Sequence, residues 1–204
     1  MMEEAHVYSR RDWIVHSHFG VGQIEGVETK AISGEETRYF KIKTANSTFW
    51  VPVDQMDNEV LRPLSTPEEM QQAIATLQKP AKEMSPNTKI RQSLIQSVRI
   101  GNTPNAIARL IRDLRARKRD KGILYSSERS AFRTLSERLV QEWAIVTGAK
   151  TEDIATELDN YLNISLLLAS EKKRRKSAQG NNDDQLPIAP TPALEINSAA
   201  ETTS

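Results

Sequence analysis

The chain has 204 residues and a mass of 23.0 kDa, room for one ordinary domain or two small ones. With 38% hydrophobic and 27% charged residues its composition is globular, and no apolar run approaches the roughly 20 residues of a membrane span. The absence of cysteine excludes disulfides, thiolate metal sites and cysteine nucleophiles.

The opening MMEEAHVYSRR has no apolar stretch of a secretory signal, so the expectation is a cytoplasmic protein that does not enter membranes. The net charge of +1 averages over unlike regions. Residues 1–65 hold 7 Lys+Arg against 10 Asp+Glu, residues 85–121 hold 10 against 2, and residues 122–170 hold 4 against 7. Positive charge is therefore concentrated in one middle segment, where an anionic partner would meet it.

Residues 12–62 read as strands. Trp13–His16 is apolar and leads into a glycine-punctuated turn at Phe19-Gly20-Val21-Gly22. Gln23–Thr29 follows, its alternation imperfect around Gly26, and Ser33-Gly34-Glu35 reads as a turn. Tyr39, Lys41 and Lys43 then alternate with Phe40 and Ile42, the period of a half-buried strand. Thr48–Val53 is β-branched and aromatic, with Pro52 suiting an edge or a strand end. Within it Phe49 and Trp50 must face opposite sides, so Trp50 is either an interface anchor or a core residue. Short strands with close turns predict a small antiparallel barrel of Tudor or SH3-like size.

From Thr66 the period changes to that of helices. Thr66-Pro67-Glu68-Glu69 supplies a cap, a proline at the first helical position and a capping-box glutamate, before Met70, Ile74 and Leu77. Ser85-Pro86 repeats the start, with Ile90, Leu94, Ile95 and Val98 as the apolar stripe and Gly101 as the stop. Thr103-Pro104 opens a third helix along Ile107, Leu110, Ile111 and Leu114 to Gly122. A longer helix from about Ser126 carries Phe132, Leu135, Leu139, Trp143 and Val146, and Trp143 reads as core. Thr151 starts a last one through Ile154, Leu158, Tyr161 and Leu162. The expected fold class is thus α+β, the barrel preceding a compact all-α domain of about five helices. From about Ser177 the composition turns to Ala, Pro, Thr, Asn and Ser, predicting a disordered tail behind the basic run Lys172–Lys176. The divisions expected are a flexible 1–9, a β module over 10–65, a helical domain over 66–170, and the basic run with its tail over 171–204.

In the third helix Arg109, Arg112, Arg115 and Arg119 are three or four apart, which predicts one cationic stripe beside the apolar face. Arg117, Lys118 and Lys121 widen it, and Lys89, Arg91 and Arg99 add to it from the preceding helix. Cations at a helix C-terminus also suit its dipole, and a charged face is commonly only solvated. With Asp113 and Asp120 as the sole acidic residues of the segment, however, the pattern suits phosphate contact without base reading.

The order of parts resembles the CarD-like family of bacterial transcription regulators. Asp12–Gly22, with its acidic start, hydrophobic pair and G-x-G-like turn, is similar to the opening of these proteins and of the polymerase-binding module of transcription–repair coupling factors. Ile24–Lys30 and Tyr39–Val53, ending V-P-V, fit the same module; Ile107–Arg115 and Ser127-Glu128-Arg129 resemble the family's helical domain. The likeness covers roughly residues 10–165. It implies a protein that acts without catalysis, docking on the β subunit of RNA polymerase through a strand edge and holding promoter DNA at the upstream edge of the melted region. It places polymerase contacts at Lys30, Arg38, Trp50 and Pro52, and DNA contacts at Lys89, Arg91, Arg109, Arg112, Arg115, Lys118 and Arg119. Two positions depart from the pattern. Asn87 stands where several relatives carry a tryptophan that wedges into the minor groove, and Trp50 stands where some carry an arginine.

Other chemistry finds little footing. His16 and His18 share an H-x-H spacing without an evident third ligand, so a turn or core role is expected. Gly20 and Gly22 lack the third glycine and helix of a dinucleotide site, and no P-loop or nucleophile elbow occurs. The expectation is a monomeric, nucleoid-associated regulator without cofactor or metal. The rival readings are a protein-interaction adaptor whose basic face is solvated, and a fragment-like relative of a repair translocase.

Overall fold

The computed structural model describes residues 8–32, 35–56 and 61–180. Five strands, β1 (Trp13–His16), β2 (Gly20–Ile32), β3 (Glu35–Thr44), β4 (Thr48–Pro52) and β5 (Leu61–Pro63), form one antiparallel sheet in the order β4-β3-β2-β1-β5. Five helices follow: α1 (Pro67–Leu77), α2 (Thr88–Gly101), α3 (Pro104–Lys121), α4 (Ser126–Thr147) and α5 (Thr151–Gly180). The α+β class with a Tudor-like sheet ahead of a helical domain is therefore the observed one. The expected Ser33-Gly34 turn and the tail beyond residue 180 lie outside the described residues. Residues 177–180, expected in the tail, continue α5.

The imperfect alternation around Gly26 has a structural cause. The β2–β3 register shifts between Ile24 and Gly26, leaving Glu25 as the extra residue of a bulge. Ile24 pairs Ile42 on the buried side, and after the bulge Gly26 pairs Lys41 on the other. Glu28 and Lys30 consequently fall on the outer face, which strict alternation from Ile24 would have denied them. Upstream, β2 approaches β3 so closely that a Cβ on Gly22 would stand 2.7 Å from Ile42 Cγ2. The expected turn at Phe19–Gly22 begins earlier, at Ser17–Phe19, with Gly20 already the first residue of β2.

All the helices but α2, which starts at Thr88 and not at Ser85-Pro86, begin where the sequence signals predict. Thr66 and Glu69 form a reciprocal capping box with Pro67 at the first position, and Pro104 opens α3 after Thr103. At the second helix the cap is Asn87, whose side chain accepts from Lys89 N–H, and the stop is Asn102 in the left-handed region (φ +50°), not Gly101. Met70, Ile107, Ile111, Leu135, Leu139 and Trp143 anchor the core of the helical domain, whereas Ile14, Ile24, Ile42 and Phe49 belong to a separate core under the sheet.

A polar junction joins the two cores. Glu142 of α4 is fully buried and accepts Arg62 of β5 through both oxygens at 2.6 and 2.7 Å. Ser65 adds its hydroxyl at 2.6 Å and its N–H at 3.1 Å. Arg62 Nε donates to Asn102 O, while Arg138 spans from Asn102 Oδ1 to the carbonyl of Ser17, both at 2.6 Å. Burial, then the charge of Arg62, lowers the Arg138 pKa to about 10, still cationic at neutral pH.

Removing one partner of such a pair leaves a buried uncompensated charge. Glu142→Ala is expected to lower the unfolding free energy in urea by about 3–5 kcal/mol, whereas an exposed control such as Glu137→Ala changes it by less than about 0.5 kcal/mol.

Candidate functional site

Two surfaces were expected from the sequence, and the structure treats them differently. On the outer face of the sheet, Lys41 pairs Trp50 across β3 and β4, and Tyr39 pairs Pro52. Trp50 is 39% exposed while Phe49 is buried, which resolves the alternative left by alternation in favour of an outward tryptophan. The indole is braced from two sides: Nε1 donates to Glu28 Oε2 at 2.9 Å, and Lys30 Nζ lies 3.2 Å from the ring centroid. Lys41 closes the cluster against Glu25 at 3.4 Å and Glu28 at 3.3 Å. The hydrogen bond from Trp50, then those from Lys41, hold the Glu28 carboxyl below its usual range against the opposing effect of desolvation. Lys30, Trp50 and Pro52 thus share a face. Arg38 does not: it has the parity of Phe40 and Ile42, at the overhanging end of the hairpin where Thr29 opposite it is also exposed.

In the helical domain four of the seven expected DNA-contact residues are committed internally. Arg91 is 1% exposed. Its Nε meets Glu128 Oε1 at 2.6 Å, and its Nη1 donates to the carbonyls of Ser85 and Pro86 at 2.8 and 2.7 Å. Burial alone would raise the Glu128 carboxyl, but donation from Arg91, Tyr125 N–H and Arg117 outweighs it and holds the group low. Arg112 is 3% exposed and joins Asp113 to the carbonyl of Thr76 at the end of α1, the charge that a helix C-terminus accepts. Neither guanidinium reaches the surface, which corrects the expectation that they touch DNA. Arg115 ties α3 to Asp159 and Asn163 of α5, and Arg119 does the same to Leu166 O and Ser170.

Lys89, Arg109 and Lys118 remain exposed, with no hydrogen bond or ion pair of their charged groups among the described residues. Arg109 and Lys118 are nine residues, about two and a half turns, apart and so lie on opposite sides of α3. The single stripe is not formed. Sequence reasoning passed over Arg129 and Arg133, exposed on the first turns of α4, and undervalued Arg99. Arg99, Gln96 and Thr134 line a groove of about 220 Å³ with Ser17, His18 and Arg138, where α2, α4 and the β1–β2 turn meet. The available signal was that α2 contains no acidic residue along its whole length.

The apolar stripe of α2 also needs correction. Ile95 and Val98 are buried, but Ile90 and Leu94 are 57% and 46% exposed. Arg91, one turn before Ile95, occupies the inner position that rotates Ile90 and Leu94 outward. Tyr125, at the cap of α4, is likewise exposed.

A small sheet with an exposed, braced tryptophan, joined to a helical domain with exposed cations, is the architecture of a protein that binds through two surfaces. Residues 8–65 match the CarD-like/TRCF RID domain family and residues 72–159 match the CarD C-terminal domain family. The chain belongs to the CarD-like family, whose members are RNA polymerase-interacting transcription regulators and not enzymes. No helix among the described residues is long and apolar enough to cross a membrane.

The histidine pair has the turn role expected of it. His16 Nδ1 accepts from the N–H groups of His18 and Phe19, at 3.0 and 3.4 Å, and its ring packs on Phe49. Burial first, then the charges of His18 and Arg138, lower its pKa from 6.5 to about 4. Because the unfolded chain takes up the proton first, the contribution is intact above pH 6.5 and is lost as pH falls to about 4. Urea unfolding is expected to show a loss on the order of 3 kcal/mol across that window, and a smaller one in His16→Gln.

Proposed function

We propose that the chain regulates transcription initiation by docking its sheet on the polymerase β subunit and resting its helical domain on the phosphate backbone of promoter DNA near the upstream edge of the bubble, so tuning open-complex stability. The observation that carries the docking half is Trp50, held outward by Lys30 and Glu28 rather than packed in the core. A large aromatic fixed in one orientation loses little side-chain freedom on binding, which suits an interface anchor. β4 ends the ladder, so a strand of the partner would add beside Trp50 and Pro52 through main-chain hydrogen bonds.

The DNA half is supported by the exposed cations Lys89 of α2 and Arg129 and Arg133 of α4, with the half-buried Arg99 between them. With Asn87 serving as a helix cap, the exposed apolar side chains at this end include Ile90, Leu94, Ile123 and Tyr125. They offer a broader, blunter surface than a single wedge. The internal pairing of Arg112, Arg115 and Arg119 favours the adaptor reading for the α3 stripe alone.

Capture of the purified polymerase β-subunit lobe by the full chain tests the docking half. Lys30→Ala/Trp50→Ala is expected to weaken it at least about tenfold with an unchanged unfolding midpoint; undiminished capture by the folded variant would reject this surface.

Binding to a forked promoter duplex tests the second half. Reversing Lys89, Arg129 and Arg133 to glutamate should weaken binding and reduce the slope of log affinity against log salt by up to about 3. Arg115→Ala/Arg119→Ala should cost stability but leave that slope nearly unchanged. A salt-insensitive interaction in the wild type would promote the adaptor reading instead.

A further inference from the structure

Beside the start of α2, the chain between α1 and α2, the last turns of α3 and the middle of α5 line an open concavity of about 330 Å³. Cations enter it from all three segments: Lys82 from the connection, Arg117, Arg119 and Lys121 from α3, and Lys173 from α5. Two carboxylates, Glu83 and Asp120, share the wall. The dipole of α3 explains cations in its own last turn. It does not explain why Lys82 and Lys173, on other segments, converge on the same hollow.

The cations differ in how far they are already satisfied. Asp120 is shared by Arg119 and Lys173, at 2.9 and 3.0 Å, and the Lys173 contact is the main reason its carboxyl titrates low. Arg119 is further fixed by Leu166 O and Ser170, so it is held at the wall before any ligand arrives. Arg117 spends its Nε on Glu128 at 3.3 Å and faces the Tyr125 ring at 6.0 Å, while its two terminal nitrogens make no hydrogen bond among the described residues. The ammonium groups of Lys82 and Lys121 have no partner among the described residues. Unsatisfied positive charge is thus gathered in a space with small and apolar groups in its lining, among them Met84, Ala116 and Ala169.

We propose that this concavity binds a nucleoside polyphosphate, with the phosphates between Lys82, Lys121, Arg117 and Lys173 and the base against Met84, Ala116 and Ala169. The volume lies at the lower end of small-ligand sites, large enough for one nucleotide. Five cations against two carboxylates leave a net charge of +3 around one such volume, which suits a di- or triphosphate better than the isolated carboxylates of an acidic peptide. The phosphates of a DNA duplex are strung along its axis, whereas these cations converge from three segments on one small concavity.

Calorimetric titration of the full chain with ATP, GTP and inorganic pyrophosphate at about 0.15 M salt tests the proposal. The expected result is saturable one-to-one binding of at least one nucleotide, about tenfold or more tighter than pyrophosphate. Lys82→Glu/Lys121→Glu, at two exposed and unpaired positions, should weaken it by at least the same factor without moving the unfolding midpoint. Absence of saturable heat at millimolar nucleotide, equal binding of pyrophosphate, or an unaffected variant would each overturn it. So would loss of promoter-duplex binding in that variant together with displacement of the nucleotide by duplex, since the hollow would then belong to a nucleic-acid surface.

Discussion

The carboxylate of Glu142 has no contact with water, and what surrounds it determines how the molecule is built. Two small hydrophobic cores, one under the sheet and one within the helices, do not merge. Arg62, Ser65, Asn102, Arg138 and the Ser17 carbonyl join them through short, directional bonds around that carboxylate. A buried ion pair is a weak source of net stability, because desolvation offsets most of the attraction. Its geometry is nevertheless narrow: a bidentate guanidinium fits a carboxylate in few orientations, whereas an apolar seam tolerates sliding. The sheet and the helical domain are therefore held at a set angle. For a protein proposed to bridge an enzyme and its template, that angle matters as much as the affinity of either surface.

The same use of arginine recurs through the helical domain. Arg91 binds the connection before α2 to the start of α4, Arg112 closes the end of α1, and Arg115 and Arg119 fasten α5. Each replaces apolar packing that helices with so few aromatics would otherwise require, and each consumes a charge that composition alone would assign to the surface. The electrostatic footprint is consequently smaller than the net of the middle segment suggests. It is also divided, between Arg109, Lys118 and Lys121 on α3 and Lys89, Arg129 and Arg133 on α2 and α4.

What could be read from the sequence follows the range of the interactions involved. Caps, helix starts and the two faces of β4 depend on residues within a turn or two, and Thr66, Pro104 and the Phe49–Trp50 alternation announced them. The two-domain order was recognisable from motifs in both halves. The fate of the arginines was not, because Arg91 meets Glu128 across 37 residues and Arg62 meets Glu142 across 80. No local spacing marks such pairs, and an i, i+4 pattern of arginine looks alike whether it faces solvent or a neighbouring helix. The three-residue β5 was submerged in the general strand reading, since Leu61 is its only buried residue. The exposure of Ile90 and Leu94 was hidden for a related reason: a buried charged residue at Arg91 displaces the hydrophobic stripe by one position.

The bulge at Glu25 works on β2 as a change of reading frame works on a message. Everything before it is spelled in one register, and everything after it in the other. Lys30 and Glu28 stand beside Trp50 only because one residue has been inserted two positions after Gln23. Loss of a single residue there would turn both toward the underside of the sheet while leaving every side chain of the outer face chemically unaltered. The composition of that surface is thus governed by strand length as well as by residue identity, and insertions or deletions can rewrite it where substitutions would only edit it.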